Sequence, residues 1–84
     1  MIKIKINTND NNKESKEFIV SQKKLTKLRE LEFIGGFKRF TIDVIDERIK
    51  YRPVNYEYLI DWLIKHIFPN STKILLKTHL EILD

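Results

Sequence analysis

The first six residues place the strongest constraint on the fold. Ile2, Ile4 and Ile6 alternate with Lys3 and Lys5, a period of two that gives a β-strand one apolar and one charged face. Such a strand needs neighbours for its backbone and an apolar layer over its isoleucines, so the rest of the chain has to supply sheet partners and covering helices. The polar run 7–16, NTNDNNKESK, reads as a solvated loop, and EFIVS at 17–21 as the strand that returns from it, which together predict an N-terminal hairpin. A helix from residue 14 to residue 33 competes with this reading, but Phe18, Ile19 and Val20 in succession favour the strand.

SQKKLTKLRELEF predicts a helix capped by Ser21, with Leu25, Leu28 and Leu31 on its inner side and Gly35-Gly36 as its stop. RFTIDVI predicts a strand that turns Phe40, Ile42 and Val44 to one face, and DERIKYRP a turn with a short edge piece ended by Pro53. NYEYLIDWLIKHIFPN predicts a helix capped by Asn55 and ended at Pro69, with Tyr56, Leu59, Ile60, Leu63, Ile64 and Ile67 as its core stripe. In the tail, STKILLKTHLEILD, the alternation of Ile74, Leu76, Thr78, Leu80 and Ile82 predicts a strand. A helix beginning at Ser71 and lined by Leu76, Leu80 and Leu83 is the alternative. With no repeat, low-complexity segment or linker, this order predicts one small α+β domain over residues 1–84: N-terminal β-hairpin, helix, strand, helix, and a final strand or helix.

Composition narrows the function classes. At 42% hydrophobic residues the chain is too apolar for intrinsic disorder, and no apolar run approaches the ~18 residues of a membrane span. The polar N-terminal region lacks the apolar block of a secretory signal, so the expected location is cytoplasmic. The absence of cysteine removes disulfides, thiolate metal sites and a thiol nucleophile. Asn70-Ser71-Thr72 fits a glycosylation pattern but reads as a turn. The chain has no alanine, two glycines and two prolines against 13 isoleucines, 12 lysines and 6 asparagines. That bias points to an AT-rich genome, viral, protist, bacterial or organellar, and weakens lysine content as a functional signal.

Catalysis needs converging groups, and the sequence offers few. His66 and His79 fall on different elements with no metal-ligand spacing. Ser15, Ser21 and Ser71 lie beside turns, and the last two read as helix caps. Asp43, Asp46 and Glu47 read as solvated turn residues, and Gly35-Gly36 lacks the lysine of a phosphate-cradling loop. The reading is therefore non-enzymatic, with no metal and no cofactor.

Two arrangements could carry binding. Lys3, Lys5, Lys23, Lys24, Lys27, Arg29, Lys38 and Arg39, in a chain of net charge +4, would form a nucleic-acid patch if their faces coincided. A solvated lysine-rich surface is the alternative, and for base stacking only Phe18, Phe37 and Phe40 are candidates. The second arrangement is the far side of the 55–69 helix, where Tyr58 and Trp62 stand four residues apart with Lys65 beside them and Asp61 and His66 at the margins. Exposed, they would be a partner-binding face; covered by another element of the chain, they would be core.

At this helix a family resemblance enters. IKYRPVNYEYLIDWLIKH resembles the strand-to-helix segment of BTB/POZ domains of the potassium-channel tetramerisation type, and KEFIVSQKKLTKLRELEF resembles the segment after the first hairpin in Elongin C and BTB proteins, with Phe18 seven positions before Leu25. The resemblance spans about residues 2–68. It implies a protein-interaction module without catalysis, self-associating or docking a cullin-type scaffold. MIKIKI, KRFTI and KHIFPNSTKILLK instead resemble parts of an S-ten family small-subunit ribosomal protein, which implies a ferredoxin-like fold and RNA binding. A viral or phage inhibitor of a host protein would also bind through an exposed aromatic patch. The tail separates the first two readings, because the ferredoxin-like one needs a strand there.

Overall fold

The computed structural model describes residues 1–11, 13–50 and 52–82. The N-terminal alternation forms β1 (Ile2–Thr8), and β2 (Ser15–Val20) returns antiparallel to it. The turn between them is tied by Thr8, whose hydroxyl donates to Asp10 Oδ1 at 3.1 Å and accepts from the Glu14 amide at 2.9 Å. These bonds let β2 begin two residues earlier than its apolar run suggests.

Helix α1 (Gln22–Leu31) starts at Ser21, whose Oγ accepts from the Lys24 amide at 3.2 Å, and buries Leu25, Leu28 and Leu31 as the spacing predicts. It does not use Gly35-Gly36 as its stop. The helix ends at Glu32, and the glycines form the turn of a second hairpin, β3 (Phe33–Ile34) with β4 (Phe37–Lys38). Both have positive φ, +64° and +83°, as a two-residue turn between right-twisted strands requires. The neck closes where the Arg39 amide donates to the Glu32 carbonyl at 2.8 Å.

Strand β5 (Phe40–Asp46) pairs antiparallel with β1 and completes a sheet of order β2-β1-β5. Phe40 and Ile42 are buried as expected, whereas Val44, paired with the buried Ile4, is exposed. No strand forms in 47–50 or 52–55, where the sequence suggested an edge piece; Tyr51 lies outside the described residues.

Helix α2 (Tyr56–His66) begins at Asn55, whose side chain accepts from the Glu57 amide at 2.9 Å, with Glu57 in its first turn and Lys65 and His66 in its last, each sign matched to the helix dipole. The tail is a helix, α3 (Lys73–His79), and not the strand predicted from alternation. Leu76 and Leu80 are four apart, a spacing that fits either period, and both are buried. What decides is the cap: Thr72, not Ser71, accepts from the Leu75 amide at 3.2 Å. Leu83, named for the helical alternative, lies outside the described residues. The sheet's Ile2, Ile4, Ile6, Val20, Phe40 and Ile42 pack with the leucines and isoleucines of the three helices in one core. The result is the small single α+β domain expected from the sequence.

Candidate protein-interaction surface

The anticipated aromatic face of α2 does not exist as a unit. Trp62 is only 8% exposed: its ring meets Phe18 of β2 edge-on at 5.8 Å between centroids and lies 5.0 Å from the ring of His66. On a helical wheel Trp62 stands about 40° from Tyr58 but only about 60° from Leu59, and a side chain that large reaches the core from the edge of the stripe. The chain covers Trp62 with β2. Tyr58 remains 66% exposed. Asp61 pairs with Lys73 Nζ at 2.9 Å, and Glu57 pairs with Lys77, so α2's outer charges bind α3. The Asp61 carboxylate, by hydrogen bond and charge, raises the Lys73 pKa. Lys65 is exposed and has no ion pair among the described residues.

The basic set is likewise divided. Lys23 and Lys27 reach the Glu81 carboxylate at 3.1 and 3.3 Å, and the Lys24 ammonium donates to the carbonyls of Leu80 and Glu81 at 2.8 and 2.5 Å. These three lysines of α1 clamp the end of α3. Hydrogen bonds from Lys23 and then Lys27 push the Glu81 carboxyl below its usual range, and the hydrogen bond to Glu81, joined by the charge of Glu30, raises Lys27. Lys3 pairs with Glu17 at 3.1 Å, and Lys5 sits in register between Glu17 and Asp43 on the outer sheet face. Lys38 and Arg29 border the buried Glu32, at 4.0 and 3.1 Å from its carboxylate. Arg39 alone of the set is exposed with no side-chain ion pair among the described residues.

The exposed apolar surface lies elsewhere. Phe33 and Phe37 of the second hairpin are 58% and 73% exposed, and Ile74 and Leu75 of α3 are 73% and 55% exposed. Between hairpin and helix runs a groove of about 420 Å³, walled by Phe33, Ile34, Phe68 and Leu75 and bounded by Lys27, Glu30 and His79. A second depression continues from Ile34 and Leu75 towards Arg39 and Pro69. Phe37 faces Ile34 across the hairpin, and the Lys38 ammonium lies 5.5 Å from the centre of the Phe33 ring. The glycine turn makes this surface: it folds the chain back so that Phe33, Ile34 and Phe37 extend past the end of α1 instead of entering the core. In the sequence it was visible as two apolar residues leading into Gly-Gly and another aromatic leaving it, FIGGF, a hairpin signature read there as a helix stop.

His66 lines the depression near Thr8 and His79 the hairpin groove; among the described residues no three of His, Asp and Glu gather into a metal-holding group. Nor is any helix among them long and apolar enough to cross a membrane. Comparison with protein-family models, curated proteins and solved structures returns no match.

Proposed function

We propose that this chain is a non-catalytic interaction domain that docks a partner protein on the apolar surface of β3, β4 and α3. The observation that carries the reading is the joint exposure of Phe33, Ile34 and Leu75 around one groove, with Phe37, exposed on the same hairpin, opposite Ile34. Burying large apolar side chains is the main favourable term in association, and contiguous exposed apolar surface with a polar margin is how docking sites differ from the rest of a monomer's surface. The margin supplies Lys27, Glu30 and His79, and Arg39, which has no side-chain ion pair among the described residues. The partner on this reading is a different protein, with an apolar anchor for the groove and a carboxylate for Arg39.

The chain runs hairpin, helix, second hairpin, strand, helix, helix, and its final helix supports a BTB/POZ-type adaptor over the ferredoxin-like ribosomal alternative, which needs a strand where α3 stands. A cullin-type scaffold is the partner class this reading implies. A nucleic-acid role has less support, because Lys23, Lys24 and Lys27 already engage the end of α3. An inhibitor of a host protein would use the same apolar surface and differs only in the partner's identity.

The test is site-specific photo-crosslinking in an extract of the chain's native source, with benzoylphenylalanine at position 37 or, as control, at Thr26, exposed on α1. A discrete protein adduct from position 37, absent from position 26 and lost when Leu75→Asp is added, is the expected result. No adduct from position 37, or the same adducts from both positions, would remove the proposal.

A further inference from the structure

A separate cleft, using none of those residues, lies along β2. It measures about 490 Å³ and is lined on one side by Lys16, Glu17, Phe18, Ile19 and Val20. Side chains of successive strand residues alternate between the two faces of a sheet. Five consecutive residues can therefore line one cleft only if it runs along the strand's edge. β2 is the outer strand of the β2-β1-β5 sheet, and apart from its bonds to β1 no hydrogen bond from the described residues engages the backbone of 15–20. The opposite wall is the extended segment 52–55 with Tyr56, Tyr58 and Leu59 of α2. At its closed end the Ser21 amide donates to the Tyr56 hydroxyl at 3.2 Å, pinning α2 to the end of β2.

The charge in the cleft is one-sided. Lys3 and Glu17 satisfy each other at 3.1 Å, which leaves Lys16, whose ammonium lies 5.9 Å from the Phe18 ring centre, and Arg52, both exposed and without carboxylate partners among the described residues.

We infer that this cleft takes an extended acidic peptide segment, added to the sheet as a fourth strand beside β2. An unpaired edge offers alternating N–H and C=O groups at the spacing of another strand, and backbone hydrogen bonds then give affinity while side-chain pockets give selectivity. Lys16 and Arg52 select carboxylates, and Tyr58, the one exposed aromatic of α2, covers an apolar side chain of the guest. β5 is the poorer edge, because its pairing with β1 shifts register opposite Lys3 and Ile4 and a bulge twists an edge away from further pairing.

The probe is the blocked heptapeptide acetyl-Glu-Val-Glu-Phe-Glu-Val-Glu-amide, titrated into the ¹⁵N-labelled full chain and followed by amide chemical shifts. Expected are saturable shifts at residues 15–20 and at Tyr58, with a Kd of millimolar order or tighter. The peptide with Lys in place of Glu, and the acidic peptide N-methylated at alternate amides, should each bind about tenfold more weakly or worse. Lys16→Glu with Arg52→Glu should reverse the preference between the acidic and basic peptides. Absence of saturable shifts, equal binding of the two peptides or of the methylated form, or shifts confined to residues 33–38 and Leu75 would each overturn the inference.

Discussion

Trp62 offers the sharpest test of how the domain is held together. Its ring is 8% exposed and packs edge-on against Phe18, so Trp62→Ala removes the indole from a site between β2 and α2 that the backbone cannot close. Truncating a buried aromatic to alanine costs about 3–5 kcal/mol, of which ring-edge geometry supplies about 0.5–1.5. A domain of 84 residues has a total stability of about 4–13 kcal/mol, so this one change removes about a fifth of it at the least. With an unfolding entropy of about 2.1 cal/mol/K per residue, the Tm should fall by about 15–30 °C. Trp62→Phe keeps a ring against Phe18 and should cost about 1–2 kcal/mol, which keeps the comparison readable if the alanine variant does not fold. The assay is urea unfolding followed by circular dichroism, in which the midpoint falls and the slope is unchanged. Fluorescence adds an independent readout, because Trp62 is the only tryptophan and should resist acrylamide quenching until unfolding. A loss below about 0.5 kcal/mol, the range of surface substitutions, with free quenching in the native state, would refute the packing and restore Trp62 to the surface.

Two further predictions concern the hairpin and the end of α3. Gly36 sits at φ +83° with open space where a Cβ would lie, so Gly36→Val meets only a backbone penalty; it should destabilise by about 1–2 kcal/mol in thermal melts, and Gly36→Asn by clearly less. Glu81 adopts φ +55° at a position where helices commonly place glycine, and Lys23, Lys24 and Lys27 hold it there. Because its carboxyl pKa is lowered in the folded chain, its stabilising contribution is present above the ordinary glutamate range and is lost as pH falls through the depressed value. The protection factors of amides 77–82, taken relative to intrinsic exchange at each pH, should fall on acidification in the wild type, and should already be low and less dependent on pH in Glu81→Gln.

Most of the framework was legible because its determinants are local. Ile2, Ile4 and Ile6 specify a strand within five residues, Ser21 and Asn55 cap the helices that follow them, and Leu25, Leu28 and Leu31 fall on one face. What was misread depends on size or on distant partners. A wheel gives a direction but no reach, so Trp62 was grouped with Tyr58 although its indole extends to Phe18. Leu76 and Leu80 fit two periods, and the Thr72 cap that decides between them is a single hydroxyl. Gly35-Gly36 suits a helix stop and a hairpin turn equally well until Phe33 and Phe37 on either side of it are weighed. The ion pairs of Lys23 and Lys27 are not legible in the sequence because Glu81, their partner, lies more than fifty residues away in the chain.

On the proposed function, the second hairpin and α3 form the docking surface. Hydroxyl-radical footprinting of the unsubstituted chain, alone and bound non-covalently to the protein that crosslinking identifies, reads this residue by residue. Protection of Phe33, Phe37 and Leu75 in the complex, with Tyr58 as reactive as in the free chain, is the predicted outcome. Protection at Tyr58 with Phe33, Phe37 and Leu75 unchanged would contradict it.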